Sequence, residues 1–190
     1  MPSPQPSLDQ LHQVQELNRL FLAFLQTRVR EQLDCLGLPD RARPALRTAS
    51  GVLLDAVAEF PRALFRLLLD EAERQPRRPP SGRVESAQQA LSLTLLLCAW
   101  TLSRQSAYQA RLLLGLESRA VQRLRALQLT ELQGLAHGSS LVRCAFPERE
   151  WLWTELLTER RPEARQRLVL VALQPGLERD WPVRHANSLT

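Results

Sequence analysis

"LGLPDRARPALR" (residues 36–47) and "LGLESRAVQRLR" (residues 114–125) share seven of twelve residues at the same offsets: Leu, Gly, Leu, Arg, Ala, Leu and Arg. A chain of this composition gives about one such match by chance. The surroundings agree as well. Each stretch follows a long amphipathic segment. Each is followed by a short Leu-x-x-(Val/Leu)-Ala segment, "LLDAVA" (53–58) and "ELQGLA" (131–136). Both then return to an apolar end, "ALFRLLL" (63–69) and "SLVRCAF" (140–146). Two readings follow: an internal duplication, or helix grammar shared by chance in a chain rich in Leu, Arg and Ala. The first is the working expectation.

Outward from these turns the apolar spacing is helical. Leu11, Val14, Leu17, Leu20, Phe21, Phe24, Leu25, Val29 and Leu33 recur in steps of three and four, which predicts a helix over 8–33. Gly37 ends it as a C-cap glycine and Pro39 opens the next segment. Shorter helices are expected at 39–48, 50–59 and 61–74. "RQPRRPPSG" (74–82) has the composition of a linker. A second long helix is expected over 84–113, ended by Gly115, then short helices at 117–126 and 130–136. "SLVRCAF" suits a short extended piece. Helices over 148–158 and from Pro162 follow, "LVLVAL" (168–173) is open between helix end and strand, and the tail from Gln174 reads as irregular. The fold class is therefore all-α, with units at 8–74 and 84–146, a linker at 75–83 and a C-terminal extension at 147–190.

Hydrophobic residues make up 44% and charged residues 24% of the 190 positions, a globular balance. Neither Lys nor Ile occurs, so the net charge of +5 is wholly a guanidinium surplus. Guanidinium pairs bidentately with phosphate or carboxylate and stacks on rings. The surplus is local. Residues 81–146 hold seven Arg against three acids, residues 1–80 eleven against ten, and residues 147–190 seven against seven. Cys35, Cys98 and Cys144 lie far apart and form no paired framework. With no secretory leader read at the N-terminus, a cytoplasmic setting is expected. The most apolar run, "ALSLTLLLCAW" (90–100), is about half the length that crosses a bilayer, so no membrane span is expected.

Residues 91–146 carry a further pattern. A long helix with Leu95, Leu96, Leu97 and Ala99 leads to a polar stretch with Gln105 and Ala107. The Leu114-Gly115-Leu116 turn follows, then Leu124, Leu127 and Leu129, a Leu135-Ala136 step, and a close at Leu141-Val142. In this order and spacing, without gaps over about 56 residues, the segment resembles the bacterial flagellar transcriptional regulator FlhD family. Residues 17–68 would be a diverged second copy. The resemblance implies two tandem FlhD-like helical units, able to form within one chain the pair that the family makes from two. It implies dimerisation through the long helix, here Leu93, Leu96, Leu97 and Trp100. It also implies a hetero-oligomer with an FlhC-like protein that binds promoter DNA and recruits RNA polymerase, with no catalysis and no cofactor. The family's bridging Cys falls on Arg143, with Cys144 one place later, so no disulfide is expected and Cys144 is at most a weak candidate. On the duplication reading, helix 8–33 should touch helix 84–113.

The residues themselves suggest sites. Arg119, Arg123 and Arg125 lie on the first helix of a helix–turn–helix segment, and Arg suits phosphates and guanine edges. A solvated helix face accounts for them equally well. The second helix, "TELQGLA" (130–136), offers few polar readers, so phosphate positioning is expected rather than base reading. Arg160, Arg161 and Arg165 make a second basic strip beside an acidic segment. "RQPRRPP" could touch DNA or be a charged linker. Trp151 and Trp153 suit stacking or packing on the domain body. His12, His137 and His185 lack metal-ligand spacing with the cysteines, and "GLAHGSS" lacks the context of a nucleophile elbow. No phosphate-cradling loop occurs. The expected function is an FlhD-like regulator acting by assembly, with no small-molecule substrate. The alternative is a non-enzymatic interaction or assembly factor of a motility or secretion system on the same scaffold. The first copy, balanced in charge and broken by Pro44, is expected to be structural.

Overall fold

Ser7 opens the chain's first helix by a reciprocal cap. Its hydroxyl accepts from the Gln10 N–H at 3.2 Å, and Gln10 Oε1 accepts from the Ser7 N–H at 3.1 Å. Two amide donors at the helix start are satisfied in this way. The computed structural model describes residues 6–74, 83–138 and 140–173. Most of the expected linker and the tail from Gln174, with His185, lie outside the described residues.

Helix α1 (Leu8–Arg30) buries Val14, Leu17, Phe21, Leu22, Leu25 and Val29 along one side. The chain then passes two left-handed residues, Leu36 (φ 53°) and Gly37 (φ 80°). The helix expected at 39–48 is a 3-10 turn, η1 (Asp40–Ala42), running into α2 (Arg43–Thr48). Pro44 sits in the first turn of α2, where its missing N–H breaks no bond. Helix α3 (Gly51–Ala58) is capped by Ser50, whose Oγ accepts from Leu53 N at 3.3 Å.

The expectation of a helix over 61–74 is corrected. That stretch holds a loop, strand β1 (Phe65–Leu67) and a short helix α4 (Leu69–Arg74). The cause lies on α1. Asn18 is fully buried, and its side-chain amide donates to the carbonyls of Ala58, Phe60 and Arg62 at 3.3, 3.2 and 3.0 Å. Its Oδ1 accepts from Leu64 N at 2.8 Å. Backbone groups that a helix would have paired internally are spent on Asn18 instead.

The long helix expected over 84–113 is also corrected. Helix α5 (Arg83–Gln105) stops at Ser106, and α6 (Ala107–Leu114) begins anew. Ser106 Oγ accepts from Gln109 N at 3.3 Å, an N-cap that starts a fresh helix. After Gly115 (φ 67°) come α7 (Ser118–Ala126), α8 (Leu129–Ala136) and strand β2 (Val142–Cys144). Helices α9 (Glu150–Thr158) and α10 (Pro162–Leu173) complete the described chain. "LVLVAL" is helical throughout. The architecture is all-α apart from one two-stranded ribbon.

The element order of the first half recurs in the second. η1–α2 spans 40–48 and α7 spans 118–126; α3 spans 51–58 and α8 spans 129–136, each pair 78 positions apart. The two strands pair with each other, antiparallel, with Phe65 opposite Cys144, Arg66 opposite Arg143 and Leu67 opposite Val142. Leu68 N to Leu141 O (2.8 Å) and Ala145 N to Leu64 O (2.9 Å) extend the ladder symmetrically. An antiparallel pair has a local two-fold axis between opposed residues. Here it passes between Arg66 and Arg143.

Beyond the ladder each half reaches onto the other. Helix α4, which follows β1, packs on α8 of the second half. Helix α9, which follows β2, packs on η1, α2 and α3 of the first. The expected contact between the long helices is present, and it runs antiparallel. Gln10 Nε2 donates to Gln109 Oε1 at 2.7 Å near one end, and Arg28 Nη1 donates to Gln88 Oε1 at 3.0 Å near the other. One continuous apolar core joins both halves and the extension, from Phe21 against Phe65 to Phe60 against Phe146. Among the described residues no helix is long and apolar enough to cross a membrane.

Candidate nucleic-acid interface

Helix α7 turns Val121 and Leu124 into the core and so places its arginines outward. Arg119 and Arg125 are exposed. Arg123 is not a free cation: its Nη1 is bridged to Asp70 of α4, on the other half. The pair holds α4 down on the second half, which makes Arg123 an interlock. Helix α8 buries Leu132 and Leu135 and is held at its start by Glu131, whose Oε2 accepts from Gln128 N at 2.6 Å. Its exposed face adds no basic group.

The second expected strip is engaged locally. Arg161 donates through Nε to Glu159 Oε1 at 3.3 Å, and its backbone N–H reaches the same oxygen at 2.9 Å. The Arg161 N–H and guanidinium together hold the Glu159 carboxyl below its usual range, and the carboxylate in turn raises Arg161. Arg165 is half-buried and donates to the Glu159 carbonyl at 2.7 Å. Of this strip Arg160 stands exposed. Trp153 is buried and donates to Ala145 O at 2.8 Å, so it packs on the domain body; Trp151 is half-buried.

The residues expected to pair two subunits serve this chain's own interior. Leu96 is fully buried, and Leu93 and Leu97 are half-buried. Trp100 donates through Nε1 to Leu127 O at 3.0 Å, and Arg104 lies 4.8 Å over its ring. Cys144 is buried in β2 and unpaired, and its thiol is pushed far up, first by burial. His137 is fixed between Gln133 O and Gln89, both at 2.7 Å, which gives it a structural task. No group of three metal-binding side chains occurs among the described residues.

Sequence reasoning passed over four arginines that the fold exposes or clusters. Arg41 and Arg47, on η1 and α2, are exposed and stand 78 positions before Arg119 and Arg125. They are two of the seven residues that the two glycine turns share, so the repeat itself marks them. Arg66 projects from the exposed side of β1, opposite Arg143. Arg62 lies over the Phe146 ring, 5.9 Å from its centroid, with its guanidinium against Gly115. Its pKa is lowered, first by burial and then by the neighbouring Arg149. Arg143 in turn runs its stem past Gly37 and pairs with Asp34 at 3.2 Å. No local pattern points to Arg62 or Arg66, because their places follow from the strand crossing. Comparison with protein-family models, curated proteins and solved structures finds no match.

Proposed function

We propose that the chain is an FlhD-like transcriptional regulator, a tandem duplication that folds as its own pseudo-dimer and works with an FlhC-like partner on promoter DNA. The observation that carries this reading is the interlock of two halves with the same element order about a local two-fold axis. A family that works as a pair is served by one chain when each half lends its strand and the following helix to the other. The exposed Arg119 and Arg125 supply phosphate affinity without base reading, and sequence specificity comes from the partner. The protein acts by assembly, without catalysis, in the bacterial cytoplasm, on a flagellar or related set of genes.

The test is reconstitution. Purified chain and an FlhC-like subunit from the same cell should shift a promoter fragment together and recruit RNA polymerase, with binding that weakens steeply as salt rises. Tight, salt-insensitive promoter binding by the chain alone would sink the proposal. A second reading, an assembly factor for a motility or secretion apparatus, draws on one feature. A groove between α3 and α10 is lined by Val57, Phe60, Leu156, Val169 and Leu170. Leu170 is 59% exposed there, as a partner-docking face requires. Co-purification with apparatus components, and no effect on transcription, would decide for it.

A further inference from the structure

The two halves do not carry the same surface, yet their arginines match. Arg41 and Arg47 occupy in η1–α2 the places that Arg119 and Arg125 occupy in α7. All four are exposed. The turn that leads into each helix is a left-handed glycine, Gly37 or Gly115, and each is packed against an arginine from the opposite half, Arg143 or Arg62. Between these two corners lies the ribbon, with Arg66 directly opposite Arg143 at the two-fold axis. Like charges facing each other across a ladder oppose pairing. Asp34 offsets Arg143, while Arg66 is exposed. The fold thus lines up basic side chains from one half's helix, through the ribbon, to the other half's helix.

We infer that Arg41, Arg47, Arg66, Arg119 and Arg125 form one two-fold basic band that binds the backbone of duplex DNA across both halves of the chain. This rests on the regulator reading above and extends it, since that reading gave phosphate contact to the second half alone. Duplex DNA is the occupant that the symmetry fits. Its two antiparallel strands are related by two-fold axes across the helix, so a two-fold protein face can meet both strands in the same way. Single-stranded nucleic acid and acidic protein surfaces have no such axis to match. The band's half-buried corners add to its potential: burial and Arg149 lower the pKa of Arg62, which marks positive charge lacking a compensating acid. Such a band supplies affinity and register without reading bases.

The experiment uses the full chain and a fluorescent 24-base-pair duplex of arbitrary sequence (about two helical turns), with anisotropy read over a salt series starting near 50 mM. The variants are R41Q/R47Q, R119Q/R125Q and R66Q, with R41K/R47K as charge-keeping rescue and R30Q/R111Q as a charge-matched control off the band. Each band pair should lower the slope of log K against log salt by about 1.8, and R66Q by about 0.9. The lysine pair and the control should leave most of the slope in place. If R119Q/R125Q weakens binding and R41Q/R47Q does not, contact is one-sided: the band is overturned and the regulator reading stands. Equal loss in R30Q/R111Q means that net charge alone binds, which also overturns it. Absence of duplex binding at low salt overturns the band, and promoter reconstitution with the FlhC-like partner then decides the regulator reading separately.

Discussion

Asn18 in α1 and Leu96 in α5 stand 78 positions apart, at equivalent places in the two halves, and both are fully buried. Leu96 adds apolar contact. Asn18 gathers three carbonyls and one N–H from residues 58–64 and so fixes the path into β1. A second contrast lies on the outer faces of the short helices. Ala42, Ala45 and Leu53 of the first half meet α9 and its groove, and their equivalents in the second half are Ala120, Arg123 and Glu131. The first half is thus apolar where a long C-terminal extension covers it. The second half is charged where only α4 reaches, held by Arg123 on Asp70. One element order supports two surfaces because the buried sides agree while the outer sides answer to different covers.

The largest expected effect tests the cover. Trp153→Ala empties a buried site and frees Ala145 O, and should cost about 3–5 kcal/mol in urea unfolding. Limited proteolysis should then release α9–α10 ahead of the remainder. Loss of protection spread evenly over both halves would mean that the extension is no separate cover.

Asn18→Leu imports the second half's residue into the first. Leaving the 58–64 backbone without its partner should cost about 3 kcal/mol, against little for a well-packed apolar swap. An unchanged urea midpoint would show that the loop is held by its flanks.

The two left-handed glycines give a smaller, paired test. Gly37→Ala has room, since the nearest atom to the added methyl, Arg143 Cδ, lies 3.9 Å away. Its cost should be the conformational one, about 1 kcal/mol. Gly115→Ala meets the Arg62 guanidinium as well and should cost more. Equal midpoints would show that Arg62 moves aside freely.

The smallest effect is a gain. Ser103 of α5 is fully buried and its hydroxyl has no hydrogen-bond partner, where the first half has the apolar Leu25. Ser103→Ala should raise stability by up to about 1 kcal/mol in the same urea assay. A loss would mean that the hydroxyl serves the packing between halves.

Much of the fold could be read from short-range signals. The bounds of α1, α3, α7, α8, α9 and α10 were legible within a few residues from apolar spacing and from Gly and Pro punctuation. Ser106-x-x-Gln109 repeats the cap grammar of Ser7-x-x-Gln10, a local signal for the split of the second long helix that the continuous apolar run masks. The candidate site was legible only in part. Arg119 and Arg125 are exposed as expected, but Arg123 is claimed by a carboxylate 53 positions away, and Arg160, Arg161 and Arg165 stand beside Glu159. A list of charges gives no account of which ones find partners after folding.

By itself the sequence determined an all-helical chain with two matching glycine turns and one basic helix, since periodicity, caps and left-handed glycines act over a few residues. The tertiary structure alone decided the strand at 65–67, the exchange of α4 and α9 between halves, and the line of arginines through the ribbon. A three-residue strand has no stability without its ladder partner, and that partner lies in the other half of the chain.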